Sequence, residues 1–220
     1  MSFFSSKLSA FSEIAALLCV AVMPMTACSQ SMNTQTKPEY RENPNPEQAY
    51  RLTMRIDGGP GTFDWIRGFA QYDVENRECL PPPKENPGGY QSPVPTRSIP
   101  FDLERLPDDE YAGTVFVDGM IDEDYHGRGI CRWALKNVQV QLKATGVKNE
   151  TLFMADLYGG ELLAGHAKKI HYSKRSYPRH PDSTLDEPLS SGQTNRSRMA
   201  SYLTDDDLFT ITLSAQEAAP

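Results

Sequence analysis

The densest group of residues able to bind a cation or present charge is Asp118–Gly129, DGMIDEDYHGRG. Asp122, Asp124 and His126, followed by Gly127, imitate the first ligands and the turn glycine of a calcium loop. An EF-hand needs a bidentate Glu twelve positions from its start, and Trp133 stands there. Two other readings fit the same residues. Acidic and glycine residues are what a solvated hairpin turn requires. An acidic recognition loop would present Asp122, Glu123, Asp124 and the amphipathic ring of Tyr125 to a basic cleft on a partner, and these four are the candidate partner-binding residues.

Other catalytic chemistry is sparse. His126, His166, His171 and His180 are scattered, and the chain holds neither HExxH nor GxSxG. His166 and His171 would lie on opposite faces of one strand, too far apart to share a metal. His180-Pro181-Asp182 spells a co-chaperone motif but lacks the two helices which that motif needs. The glycines of Gly58–Gly61 lack the Gly-Lys-Ser/Thr and the following helix of a phosphate loop. Basic residues gather at Lys168, Lys169, Lys174, Arg175 and Arg179, where phosphate binding competes with the plainer role of guarding a strand edge with lysine. The chain therefore reads as non-enzymatic, with no catalytic residue, no metal site and no cofactor assigned.

Two features of cysteine usage are more specific. Cys28 closes the run Met25-Thr26-Ala27-Cys28, behind Lys7 and the apolar stretch Ile14–Met25. A short positive region, an apolar segment of export-signal length and small residues before a cysteine are the features of a lipoprotein signal. Residues 1–27 are predicted to be that signal and Cys28 the lipidated residue; an ordinary cleaved signal or a retained anchor are the alternatives. Two or more acyl chains hold a protein stably on a bilayer. Ser29, rather than Asp, follows Cys28 and points to the periplasmic face of the outer membrane. Cys79 and Cys131 then remain as a pair in an oxidising compartment, and a disulfide between them is the natural reading. A closed loop of about fifty residues would contribute ~4 kcal/mol in the chain-entropy model.

The elements that must position these groups are mainly strands. Residues 28–48 are polar and proline-bearing and read as a flexible tether with a reach on the order of 25 Å. Residues 49–217 are predicted to form one domain. Tyr50, Leu52, Met54 and Ile56 alternate with polar residues as a half-buried strand does. With Phe63–Val74 after the glycine turn, that strand is predicted to form a hairpin. Leu80–Pro100 carries seven prolines and reads as an irregular excursion without a ladder. Further strands are predicted at Tyr111–Asp118, Trp133–Thr145, Thr151–Tyr158, His166–Lys174 and Asp207–Ala215. About seven strands with turn signals between them predict an antiparallel β-sandwich, with an open barrel as the alternative. The formal charge of −7 argues against nucleic acid as a partner.

The stretches FDWIRGFAQYDVENREC, YAGTVFVDGMIDEDYHGRGICRWALKNVQVQLKATG and KKIHYSKRSYPR resemble a family of short proteobacterial lipoproteins encoded beside secreted antibacterial lipases and similar effectors. The resemblance covers most of Tyr50–Arg179, and DEDYHGRGIC and LKATG are its most specific parts. It implies an immunity role in which the lipoprotein binds and blocks an incoming periplasmic phospholipase. It carries no inhibitory residue onto this chain. A structural or assembly lipoprotein of the cell envelope is the rival expectation.

Overall fold

The computed structural model describes residues 38–82 and 93–218. Cys28, the predicted signal and the first part of the predicted tether lie outside the described residues. Among the described residues, ten strands follow one another: β1 (Ala49–Asp57), β2 (Trp65–Val74), β3 (Thr96–Phe101), β4 (Glu104–Arg105), β5 (Glu110–Phe116), β6 (Trp133–Lys143), β7 (Leu152–Tyr158), β8 (Lys168–Ser173), β9 (Leu189–Ser190) and β10 (Leu208–Glu217). A single turn of helix, α1 (Gly159–Leu163), leads out of β7.

The strands form two five-stranded sheets, ordered β4-β5-β1-β10-β8 and β3-β2-β6-β7-β9. All pairings are antiparallel except β7 with β9. This is the expected β-sandwich, not closed into a barrel. Period-two burial runs along β1, β2, β7 and β10 and turns Leu52, Met54, Tyr72, Phe153, Phe209 and Ile211 inward. Their aromatic rings interlock, with Phe153 and Phe209 edge to face at 5.4 Å and Tyr172 stacked on Phe209 at 5.2 Å. Each such ring, fully buried, contributes ~2 kcal/mol or more of transfer free energy.

Three expectations are corrected. The glycine turn does not make a hairpin of β1 and β2. β1 pairs with β10 and β5 in one sheet, and β2 pairs with β3 and β6 in the other. Residues 58–64 cross between the sheets because Phe63 is itself a core residue, packed edge to face against Phe153 and Tyr177. A crossing segment with its own buried anchor cannot lie out in solvent as a hairpin loop does.

The proline-rich excursion ends in a ladder after all, since Thr96–Phe101 pairs with β2. The Val74 N–H donates to the Pro95 carbonyl at 3.1 Å, which sets the hydrogen-bonding phase of the pair. By alternation, Pro100, opposite Phe69, turns its nitrogen away from β2. A proline there forfeits no ladder bond, as at any sheet edge.

The predicted tether is docked along its described part. Tyr40 is buried, Glu42 bridges to Met120, and the Ile121 N–H donates to the Arg41 carbonyl at 3.0 Å. Asp118 accepts the N–H groups of Glu47 and Gln48 at 2.9 and 3.0 Å. Polar composition concealed this docking because most of its bonds are made by the backbone, which composition does not report.

Candidate functional site

The Asp118–Cys131 loop lies at one corner of the sandwich, where three stretches of chain meet. Cys131 is joined to Cys79 by a disulfide, with 5.2 Å between the Cα atoms. Asn76 reinforces the junction. Its amide nitrogen donates to the Ile130 carbonyl at 2.8 Å, and its oxygen accepts the Arg132 N–H at 2.6 Å. The Glu75 N–H donates to the Arg132 carbonyl at 2.9 Å. The third stretch is the N-terminal one, where Tyr40 meets Tyr125 edge to face at 5.1 Å and Trp133 at 5.2 Å.

Asp122, Glu123, Asp124 and Tyr125 are thus brought together, but most of their polar atoms serve the loop. Asp122 accepts the Trp133 N–H at 2.8 Å. Glu123 forms a 2.7 Å ion pair with Arg41, and its carbonyl accepts the Cys131 N–H at 2.9 Å. Asp124 accepts the Arg128 N–H at 2.9 Å and the His126 N–H at 3.3 Å. Backbone donors of Arg128 and Gly129, foremost, hold its carboxyl below the usual carboxylate range. The Tyr125 hydroxyl donates to the Ile121 carbonyl at 2.8 Å. Gly127 and Gly129 adopt φ of 67° and 101°, which a side chain would oppose. The result is a self-braced loop whose tip carries Asp124, Arg128 and Ile130, the last 59% exposed beside the disulfide.

The calcium-loop reading finds no ligand set here. Asp122 and Asp124 spend oxygens on backbone N–H groups, and the His126 ring nitrogen lies 3.2 Å from the Tyr40 hydroxyl. Among the described residues, no three His, Cys, Asp or Glu side chains converge as metal ligands. The other histidines sit in separate places. His171 contacts the Gln193 carbonyl, His180 accepts the Asp182 N–H, and His166 lies ahead of β8 rather than in it.

Four of the five basic residues considered for phosphate binding are engaged within the chain. Lys168 bonds Asp156 at 2.9 Å and lies 4.5 Å from the Tyr158 ring. Burial would lower its pKa, but Asp156 and Glu161 outweigh that, so it stays charged. Lys174 donates to the Asp206 carbonyl, and Arg175 pairs with Asp182. Arg179 donates to the carbonyls of Asn149, Ser183, Leu185 and Asp186 and organises the loop that follows it.

Sequence reasoning missed Asn76 and Tyr40. Asn76 gave no usable signal, since it precedes the Arg77–Cys79 turn without capping it by its side chain, which instead reaches Ile130 and Arg132, more than fifty positions away. Tyr40 had one, being an aromatic in an otherwise polar run. No known protein family, characterised protein or solved structure matches this chain.

Proposed function

We propose that the chain is an outer-membrane-anchored periplasmic lipoprotein, acylated at Cys28, that acts as an immunity protein by binding and inhibiting a secreted antibacterial phospholipase. The observation that carries this reading is the braced corner formed by the Cys79–Cys131 disulfide, the Asn76 clamp and the Tyr40–Tyr125 contact. A loop already held in one shape loses little entropy on binding, which is what a recognition surface needs.

Its position supports the same reading. The chain from Cys28 joins the domain at Tyr40, twelve positions later. Twelve residues span at most about 40 Å whatever their conformation. With Cys28 acylated, the corner would stay within that distance of the bilayer, where a phospholipase must work. Tethering there raises the effective concentration of inhibitor beside the substrate. Protein contacts at the corner, rather than catalysis, are the activity proposed.

The test mixes the full chain, purified in detergent, with a candidate secreted phospholipase effector. Co-elution with loss of lipase activity is expected. Alanine at Asp122, Glu123 and Asp124 should slow association and weaken its salt dependence. Because those residues also hold the loop, Ile130→Arg is the cleaner variant, and about a tenfold loss of affinity is expected from it. Association without inhibition would move the protein to the envelope-assembly role. The absence of both association and inhibition would end the immunity reading.

A further inference from the structure

Among the described residues, the sandwich is open along one side, between the edge strand β3 and the part of β5 that runs beyond the two-residue edge strand β4. The Val117 N–H donates to the Gln48 carbonyl at 2.9 Å, which sets the phase of the β1–β5 pair. By alternation, Val115, Gly113 and Tyr111 turn their backbone groups toward β1, while Phe116, Thr114, Ala112 and Glu110 turn theirs outward. The short β4 segment occupies Glu110 and Ala112, through the Leu106 N–H on the Glu110 carbonyl at 2.7 Å and the pairing of Glu104 with Ala112. β4 goes no further. Thr114 and Phe116 therefore direct N–H and C=O groups at the open side, where the Phe116 carbonyl accepts the Tyr72 hydroxyl. Across the opening, β3 offers Pro100, which has no N–H. The β3 edge is thus interrupted at Pro100 beside its outward Thr96 and Ser98, while the β5 edge has a donor at both Thr114 and Phe116.

Each face of that free edge carries a hollow. The inner one, of about 190 Å³, is lined by Ala70, Tyr72, Ile99, Val115 and Phe116. The outer one, of about 280 Å³, is lined by Arg51, Asp102, Glu104 and Thr114. Phe101 closes one end, folded over Gly113, where a Cβ would stand 2.6 Å from the Asp102 carbonyl oxygen. Among the described residues, Asp102 and Glu104 form no ion pair. Glu42, which with Asn43 lines part of the otherwise mainly apolar inner hollow, forms none either. Arg51 offsets one of these charges, and the surround stays acidic.

We propose that the Thr114–Phe116 edge receives an extended segment of a partner protein as an added strand, with an apolar side chain in the inner hollow and Lys or Arg at the flanking positions facing Asp102 and Glu104. Side chains of a strand alternate between its faces, so an apolar-basic alternation matches one apolar and one acidic hollow. Main-chain bonds to the N–H and C=O of Thr114 and to the N–H of Phe116 supply affinity, the Phe116 carbonyl being held by Tyr72, and the two hollows supply selectivity. This surface deepens the recognition reading and rests on it only for the identity of the partner.

The test needs no effector, so its outcome is separate from that of the inhibition assay. A capped lysine-valine-lysine-valine-lysine peptide is titrated into the full chain in detergent, read by calorimetry and by hydrogen exchange of residues 113–117. Binding at about millimolar or tighter is expected, with slowed exchange at Thr114 and Phe116. A glutamate-for-lysine peptide should bind about tenfold more weakly, and N-methylation of the valines should remove the protection. Thr114→Pro should abolish binding. Should that variant fail to fold, Asp102→Lys with Glu104→Lys, both at exposed positions, should weaken the basic peptide about tenfold at an unchanged melting temperature. Equal binding of acidic and basic peptides, protection elsewhere, or no binding overturns the proposal. So does an edge already protected without peptide, because the chain would then cover it itself.

Discussion

Asn76 holds the backbone on both sides of Cys131, donating to the carbonyl of the residue before it and accepting the N–H of the residue after it. The covalent link from Cys131 to Cys79 is thereby doubled by a polar one, three residues upstream of Cys79. Asn76→Ala leaves both backbone groups without these partners. A loss of about 1–2 kcal/mol in urea unfolding is expected, with the disulfide still formed by mass spectrometry.

Removing the covalent link should cost more. The bond closes a loop of 52 positions in sequence. Cys79→Ser combined with Cys131→Ser is expected to destabilise the domain by ~4 kcal/mol, most of it through the unfolded chain. Calorimetric melting of the double variant against the parent, with and without reductant, measures it; reductant should move the parent and leave the variant in place.

The open stretch of β7 beyond β9 is guarded by Tyr172, whose hydroxyl donates to the Met154 carbonyl at 2.6 Å across the edge. Burial pushes the Tyr172 phenol far above its ordinary pKa, so it remains a donor at all working pH values. Tyr172→Phe keeps the packing against Phe209 and Phe153 but orphans that carbonyl. About 1 kcal/mol of stability should be lost, together with faster amide exchange in β7.

Among the described residues, Arg179 reaches four carbonyls of neighbouring loops and no carboxylate. Lysine retains the charge but cannot reproduce the planar fork of donors. Arg179→Lys should accelerate proteolysis between residues 181 and 188 while shifting the global melting temperature little, as expected where a loop opens on its own.

Glu150 supplies a pH dependence. Burial pushes its carboxyl up, but donation from the Thr145 N–H and hydroxyl and from the Gly146 N–H outweighs this, and its folded pKa lies below the ordinary carboxylate value. A depressed folded pKa means that the unfolded chain binds the proton first. The stabilisation is therefore complete above the ordinary Glu pKa of about 4.3 and disappears as pH falls through the lower folded value. Glu150→Gln should flatten the fall in melting temperature below about pH 4, and an unchanged acid profile would place the dependence on other carboxylates.

Alternation in Tyr50–Asp57 and Leu208–Ala215 made β1 and β10 legible, because inward side chains recur at the period of the backbone itself. The pairing of Cys79 with Cys131 was legible by elimination among four cysteines. Partner choice was not. That β1 joins β10 at the far end of the chain, and not β2, depends on Phe63 burying itself between the sheets, a packing event among residues distant in sequence. The docking of Tyr40, the Asn76 clamp and the open edge at Thr114 are likewise set by which backbone groups face which strand. Residue types establish how a segment alternates and what it wants to bury. Only the assembled sheets decide which hydrogen bonds are left over, and on this protein those leftover groups and the loops braced around them are the candidate surfaces for binding.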